Sequence, residues 1–137
     1  MKIELNQEGS SYHFVASNET TQSVNIDASP AIGGQNNGAR PMELLIMGLG
    51  GCSGIDIINI LQKQKIEVKD MQIHIDAERE KDATPSLFTN IHITFNFKGE
   101  LDQNKVTRAI NLSLDKYCSV AKTLEKTARI TYSANFN

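Results

Sequence analysis

Two cysteines, Cys52 in GLGGCSGID and Cys118 in KYCSVAK, are the residues of this chain best suited to covalent chemistry. A thiol acts as a nucleophile in its thiolate form. A helix N-terminus favours that form, because unpaired N–H groups and the positive dipole end face the sulfur. Cys118 stands just ahead of an expected helical restart at Ser119, so the effect bears on it directly. The bland alternative is a buried structural thiol, since free cysteine is among the most buried residue types. The charged residues near Cys52 are Arg40 and Glu43, upstream in the same segment, and Asp56, one helical turn beyond it. An ionised Asp56 raises a neighbouring thiol's pKa, so a capping or packing role fits it better. Arg40 and Glu43 read equally well as a local ion pair or as charge at a helix start.

His13, His74 and His92 each lie between two apolar residues of an alternating segment. Alternation sends them to the face opposite the core. None has a second ligand type at metal spacing, and two distant cysteines are not a zinc site by themselves. No metal and no bound cofactor are expected.

The elements that must position the thiols follow from periodicity. A chain of 137 residues with 39% hydrophobic and 22% charged residues fits one soluble domain, 1–137. The formal net charge is -2, and neither Lys nor Arg occurs between Lys2 and Arg40. No basic stripe is present to neutralise phosphates, which argues against a nucleic-acid partner. The N-terminus MKIELNQEGS has no apolar h-region, so a secretory signal is not expected and a reducing cytoplasm is. The stretch Leu44 to Leu61 is apolar but carries Cys52, Asp56, Asn59 and four glycines. It reads as a helix buried in protein rather than a membrane span.

Ile3 and Leu5, then Tyr12, Phe14 and Ala16, then Val24 and Ile26 alternate with polar residues and predict three short strands. SPAIGGQNNGARP, from Ser29 to Pro41, is too rich in Gly, Asn and Pro for regular structure, and a loop of this length is often functional. Pro41 suits the first turn of a helix and Glu43 the positive end of its dipole. This helix, running to about Lys65, is apolar on nearly all sides at first and should be the enclosed central element. Gly48, Gly50 and Gly51 each cost roughly 1 kcal/mol relative to Ala. Such a cluster implies a close backbone neighbour or a bend before Cys52.

Two strands follow, over Val68–Arg79 (Ile73, Ile75 and Ala77 on one face) and Leu87–Lys98 (Ile91, Ile93, Phe95 and Phe97), joined by the turn DATPS. A second helix opens at the N-cap Asp102, carries the stripe Val106, Ala109, Ile110 and Leu114, and closes near Tyr117. After a helical turn from Ser119, Ile130, Tyr132, Ala134 and Phe136 mark a last strand. The order βββ-α-ββ-α-β makes the chain α+β.

With these segments in order, ARPMELLIMGLGGCSGIDIINIL followed by YCSVAKTLEK resembles the OsmC/Ohr family of hydroperoxide-reducing proteins. The family pattern is a Pro with an acidic neighbour, a small-and-apolar helix carrying a peroxidatic Cys, and a distant C-[PS]-[VY]-[SA]-K. Pro41 precedes Cys52 by the family's spacing, and Cys118-Ser119-Val120-Ala121-Lys122 matches the second motif. The likeness spans almost the whole chain and is nearest to the PMELL…GGCS branch.

The resemblance implies an intertwined homodimer with central helices packed together. It implies that Cys52 is peroxidatic and Cys118 resolving, with a disulfide intermediate reduced by an external dithiol, and a role in oxidative or osmotic stress defence. In the organic-hydroperoxide branch an Arg from the N-terminal strands holds the thiolate, paired with the acid right after the Pro. Here those strands carry no Arg, and Met42 takes the position after Pro41. Arg40 and Glu43 are the nearest substitutes for that pair. On an unbroken helix Glu43 and Cys52 fall on opposite faces, so Glu43 would need a bend or the other subunit's site. A second reading is a non-catalytic dimer that binds or senses a small electrophile or apolar ligand at the cysteines. A third is a structural dimer with inert thiols.

Overall fold

The computed structural model describes residues 1–137, in two compact units, Met1–Leu45 and Ile46–Asn137. In the first, β1 (Glu4–Gln7), β2 (Phe14–Ser17) and β3 (Ser23–Ile26) form an antiparallel meander. Leu5 pairs with Ala16 and Ala16 with Val24, so the three apolar residues make one cross-strand row. Alternation identified this face correctly, yet it stays open in the single chain: Leu5 is 52% exposed and Val24 47%.

The glycine-rich loop after β3 holds a 3-10 turn, Pro30–Ile32, where no regular structure was expected. Asp27, 2% exposed, organises this loop. Its carboxylate accepts hydrogen bonds from the backbone N–H groups of Ala28 (2.8 Å), Gln35 (3.0 Å) and Asn37 (3.0 Å). The loop folds so tightly that a Cβ on Gly34 would sit 1.8 Å from the Ala28 carbonyl oxygen, and one on Gly38 2.3 Å from the Asn25 backbone. Neither overlap can be relieved without moving backbone.

The Asn37 N–H holds the Asp27 carboxyl below its ordinary value of 3.8; burial opposes this, and the Gln35 and Ala28 N–H groups add to it. The folded unit therefore binds the ionised form preferentially. This contribution to stability is complete above pH 3.8 and drains away as pH falls from there toward the folded value. We expect acidification through that window to expose residues 28–39 to proteolysis first. Asp27→Ala should do the same at neutral pH, and equal protection of the loop in the variant would remove Asp27 from this role.

In the second unit β4 (Met71–Arg79) and β5 (Phe88–Phe97) are an antiparallel hairpin, and β6 (Arg129–Phe136) lies parallel to β5. β4 starts at Met71, three residues later than the expected Val68. β5 is central and alternates strictly: Ile91, Ile93, Phe95 and Phe97 are buried, while His92 on the other face bonds the hydroxyls of Thr131 and Ser133. The helices α1 (Pro41–Lys63), α2 (Gln103–Leu112) and α3 (Ser119–Leu124) complete the chain. Asp102 caps α2 by accepting from the Lys105 N–H, as its type and place predict, and the stripe Val106, Ala109 and Ile110 is fully buried.

The α+β order agrees with the sequence reading, but within the single chain α1 is enclosed on one side only. That side carries its buried residues, Leu49, Ser53, Gly54, Ile57 and Leu61. Met47 and Ile55 remain 58% and 69% exposed. The glycine expectation also needs correcting. A Cβ on Gly50 or Gly54 would meet the side chains of Ile75 (3.2 Å) or Ile73 (2.9 Å), whereas Gly51 faces nothing within 4 Å. Side chains of β4, not a neighbouring backbone, approach the helix there, and the helix continues without interruption through all three glycines.

Candidate functional site

Cys52 projects from the middle of α1, with Asp56 one turn later at the i+4 position that shares its side of the helix. Cys118 arrives by a different route. After α2 the chain makes a π-helical turn, Ser113–Tyr117, closed by the Cys118 N–H donating to the Ser113 carbonyl at 2.7 Å. Such wider turns recur at functional sites. Cys118 then serves as the N-cap of α3, its Sγ accepting from the Ala121 N–H at 3.3 Å. Ser113 is fully buried, and its hydroxyl donates to Asp56 Oδ2 at 3.0 Å, tying this turn to α1.

The outcome is one cluster. The sulfurs of Cys52 and Cys118 and a carboxylate oxygen of Asp56 all lie within 4.8 Å of one another. Both thiols are free; Cys118 is wholly buried and Cys52 half-buried. The helix-terminus argument gives the right place for Cys118 and the wrong net effect. Burial pushes its thiol up to about 11. The Ala121 N–H pulls the other way, but Cys52 and the Asp56 charge reinforce the rise. A short helix's dipole does not offset the removal of water from a fully enclosed sulfur.

Sequence reasoning missed Ser113, and it gave Asp56 a capping or packing role rather than a place beside both thiols. The i+4 spacing of Cys52 and Asp56 was the available signal; Ser113 had none, since only the fold brings it to α1. Asp56 also lines a cleft of about 450 Å³ with Asn59, Ile60, Lys63, Leu112 and Tyr117. An apolar groove of about 550 Å³ runs along Met47, Gly50, Gly51, Met71 and Ile73. Neither cysteine lines either hollow.

Arg40 and Glu43 have local partners. Glu43 Oε1 accepts from the Arg40 backbone N–H at 2.7 Å, the back-reaching half of a capping box around Pro41. The Arg40 guanidinium donates to the Gly38 carbonyl at 3.1 Å and to the Asn36 side-chain oxygen. With these partners Arg40→Ala should leave the pH dependence of Cys52 alkylation unchanged. Glu43→Ala should cost about 0.5–1 kcal/mol of stability, as loss of a cap does. An upward shift of the alkylation profile in Arg40→Ala would instead give the guanidinium to the thiolate.

Comparison with known proteins bears directly on this thiol pair. Residues 34–133, which include both cysteines, match the model of the OsmC-like protein family. The chain is also 47% identical over 94 residues to Protein YhfA of Escherichia coli K12, covering 68% of this chain and 69% of that one. The chain belongs to the OsmC-like family. Among solved structures it resembles an OsmC-like protein of Mycoplasma pneumoniae (TM-score 0.80, 15% identity, 98% of this chain and 95% of that one). It also resembles the organic hydroperoxide resistance protein OhrB of Bacillus subtilis (TM-score 0.68, 18% identity, 98% and 96%). These two likenesses establish the OsmC fold, with its two three-stranded sheets and three helices, and leave the chemistry to the site.

Proposed function

We propose that this OsmC-like protein is a thiol-dependent reductase of organic hydroperoxides, acting through Cys52 and Cys118. The observation that carries the reading is the asymmetric pair: a half-buried cysteine and a fully buried one, their sulfurs within 4.8 Å of each other. In the first step the Cys52 thiolate attacks the O–O bond. An S–O bond forms, the peroxide bond breaks, and the alkoxide takes a proton to leave as alcohol. The Cys118 sulfur then attacks the sulfenic sulfur of Cys52, the S–S bond forms and water departs. An external dithiol returns both thiols by exchange. No bound cofactor is needed, because the dithiol supplies the electrons, and a reducing cytoplasm suits the cycle.

The protein is expected to work as a homodimer. A row of open apolar residues on the first sheet and the exposed Met47 and Ile55 of α1 are surface that a second copy would cover. Burying Met47 and Ile55 would give α1 the enclosure its composition asks for.

A second reading, a dimer that binds or senses a small electrophile without turnover, draws on the charge near the thiols: both Cys52 and Asp56 oppose ionisation of Cys118. Intact mass and free-thiol count of the reduced protein, before and after one equivalent of an organic hydroperoxide, decide between the two. Loss of two hydrogens with both thiols consumed inside one chain is the expected result. Two unreacted thiols after minutes would transfer the function to binding.

A further inference from the structure

We propose that Cys52, Asp56 and Cys118 together bind a thiophilic divalent cation, with Zn²⁺ the ion they fit, in the reduced protein. The inference goes beyond peroxide chemistry and does not depend on it. Its basis is the convergence of three ligand atoms from two separate elements, all within 4.8 Å of one another. Zn²⁺ accepts sulfur at about 2.3 Å and carboxylate oxygen at about 2.0–2.2 Å in a tetrahedral shell, which sets two ligating sulfurs about 3.7 Å apart. The observed spacing lies within roughly 1 Å of that arrangement, a contraction that side-chain rotation can supply. Two thiolates and a carboxylate favour zinc over the hard cations Mg²⁺ and Ca²⁺, which prefer all-oxygen shells. Three protein ligands leave a fourth position for water, as in exchangeable rather than structural sites.

The surroundings of the ligands support the assignment. Metal-ligating groups are ordinarily oriented by hydrogen bonds from a second layer of residues. Here the Ala121 N–H donates to Cys118 Sγ at 3.3 Å, and the Ser113 hydroxyl donates to Asp56 Oδ2 at 3.0 Å. Both donors lie in or beside the turn that carries Cys118, so one local conformation orients ligands on both elements. Bound zinc occupies both sulfurs, so it competes with their oxidation and withholds them from other electrophiles.

The test uses the full chain, fully reduced and freed of chelator, with Co²⁺ as spectroscopic probe and Zn²⁺ as competitor. One Co²⁺ per chain is expected, with a near-ultraviolet thiolate-to-cobalt charge-transfer band that stoichiometric Zn²⁺ abolishes. Cys52→Ser and Cys118→Ser should each weaken the band and lower Zn²⁺ affinity at least about tenfold. Asp56→Asn, nearly isosteric and leaving both thiols in place, should retain the band but lower Zn²⁺ affinity about 10- to 100-fold. Absence of the charge-transfer band in the wild-type protein overturns the site, and so does wild-type affinity in Asp56→Asn. Circular dichroism of each variant confirms that the chain remains folded. No peroxide enters the experiment, so its failure is separate from failure of the reductase reading.

Discussion

Cys52→Ser is expected to reduce hydroperoxide consumption by at least about a thousandfold, because the hydroxyl that replaces the thiol is a far weaker nucleophile at neutral pH. Cys118→Ser should behave differently. It retains the attacking sulfur and loses the partner that resolves it, so one equivalent of peroxide per chain is consumed. The product carries one added oxygen on Cys52, a sulfenic acid that a dimedone-type reagent traps. The asymmetry follows from burial: Cys118 is wholly enclosed and Cys52 is not. Its thiol, pushed up to about 11, remains almost entirely protonated at neutral pH, so it cannot compete with Cys52 for the peroxide. In a Cys52→Ser chain, alkylation of Cys118 should be slow at neutral pH and accelerate as pH approaches that value. Equal, near-normal peroxidase activity in both variants would end the two-cysteine mechanism.

Phe95→Ala is expected to lower stability by about 3–5 kcal/mol, several times the effect of losing a helix cap. Phe95 has no exposed surface. It sits on the inner face of β5, the strand paired on both sides, with its ring centroid 6.5 Å from Phe97 and 6.3 Å from Tyr132. Truncation removes the transfer free energy of the ring and leaves a cavity that two flanking strands prevent from collapsing. Against a usual total of about 5–15 kcal/mol, that is a loss of about a fifth or more. The urea midpoint of unfolding measures it. Leu5→Ala is the control: that side chain is about half exposed in the single chain, and its removal should cost well under about 1 kcal/mol there. A loss in Phe95→Ala as small as the control's would mean the inner face of β5 is not the core of this unit.

The two predictions differ in how far the sequence alone could reach them. Local chemistry made the strands and helices legible. Pro41 and Glu43 mark the start of α1, Asp102 caps α2, and strict alternation from Ile91 to Phe97 identifies the buried face of β5. Period and cap preferences act within a few residues, so they can be read without a fold. The motifs around Cys52 and Cys118 likewise carried the family, because each is a short run of residue types at fixed spacing.

Asp27, Ser113 and the joint position of Asp56 with both thiols were not legible. Asp27 acts by accepting N–H groups eight and ten residues further along, and Ser113 reaches Asp56 across 57 positions. Such contacts exist only once the chain has closed, and no local preference encodes them. The Cys118 thiol is the sharpest case. Its place at a helix start is written in the sequence and argues for a low pKa. Complete burial beside Cys52 and Asp56 reverses the sign, because desolvation depends on every element packed around the sulfur. By itself the sequence determined the order of elements, the cores of α2 and β5, and the identity of the two thiols. Tertiary structure alone decided which thiol is enclosed, which carboxylate joins the pair, and which side of α1 is buried, since each is set by solvent exclusion at long range.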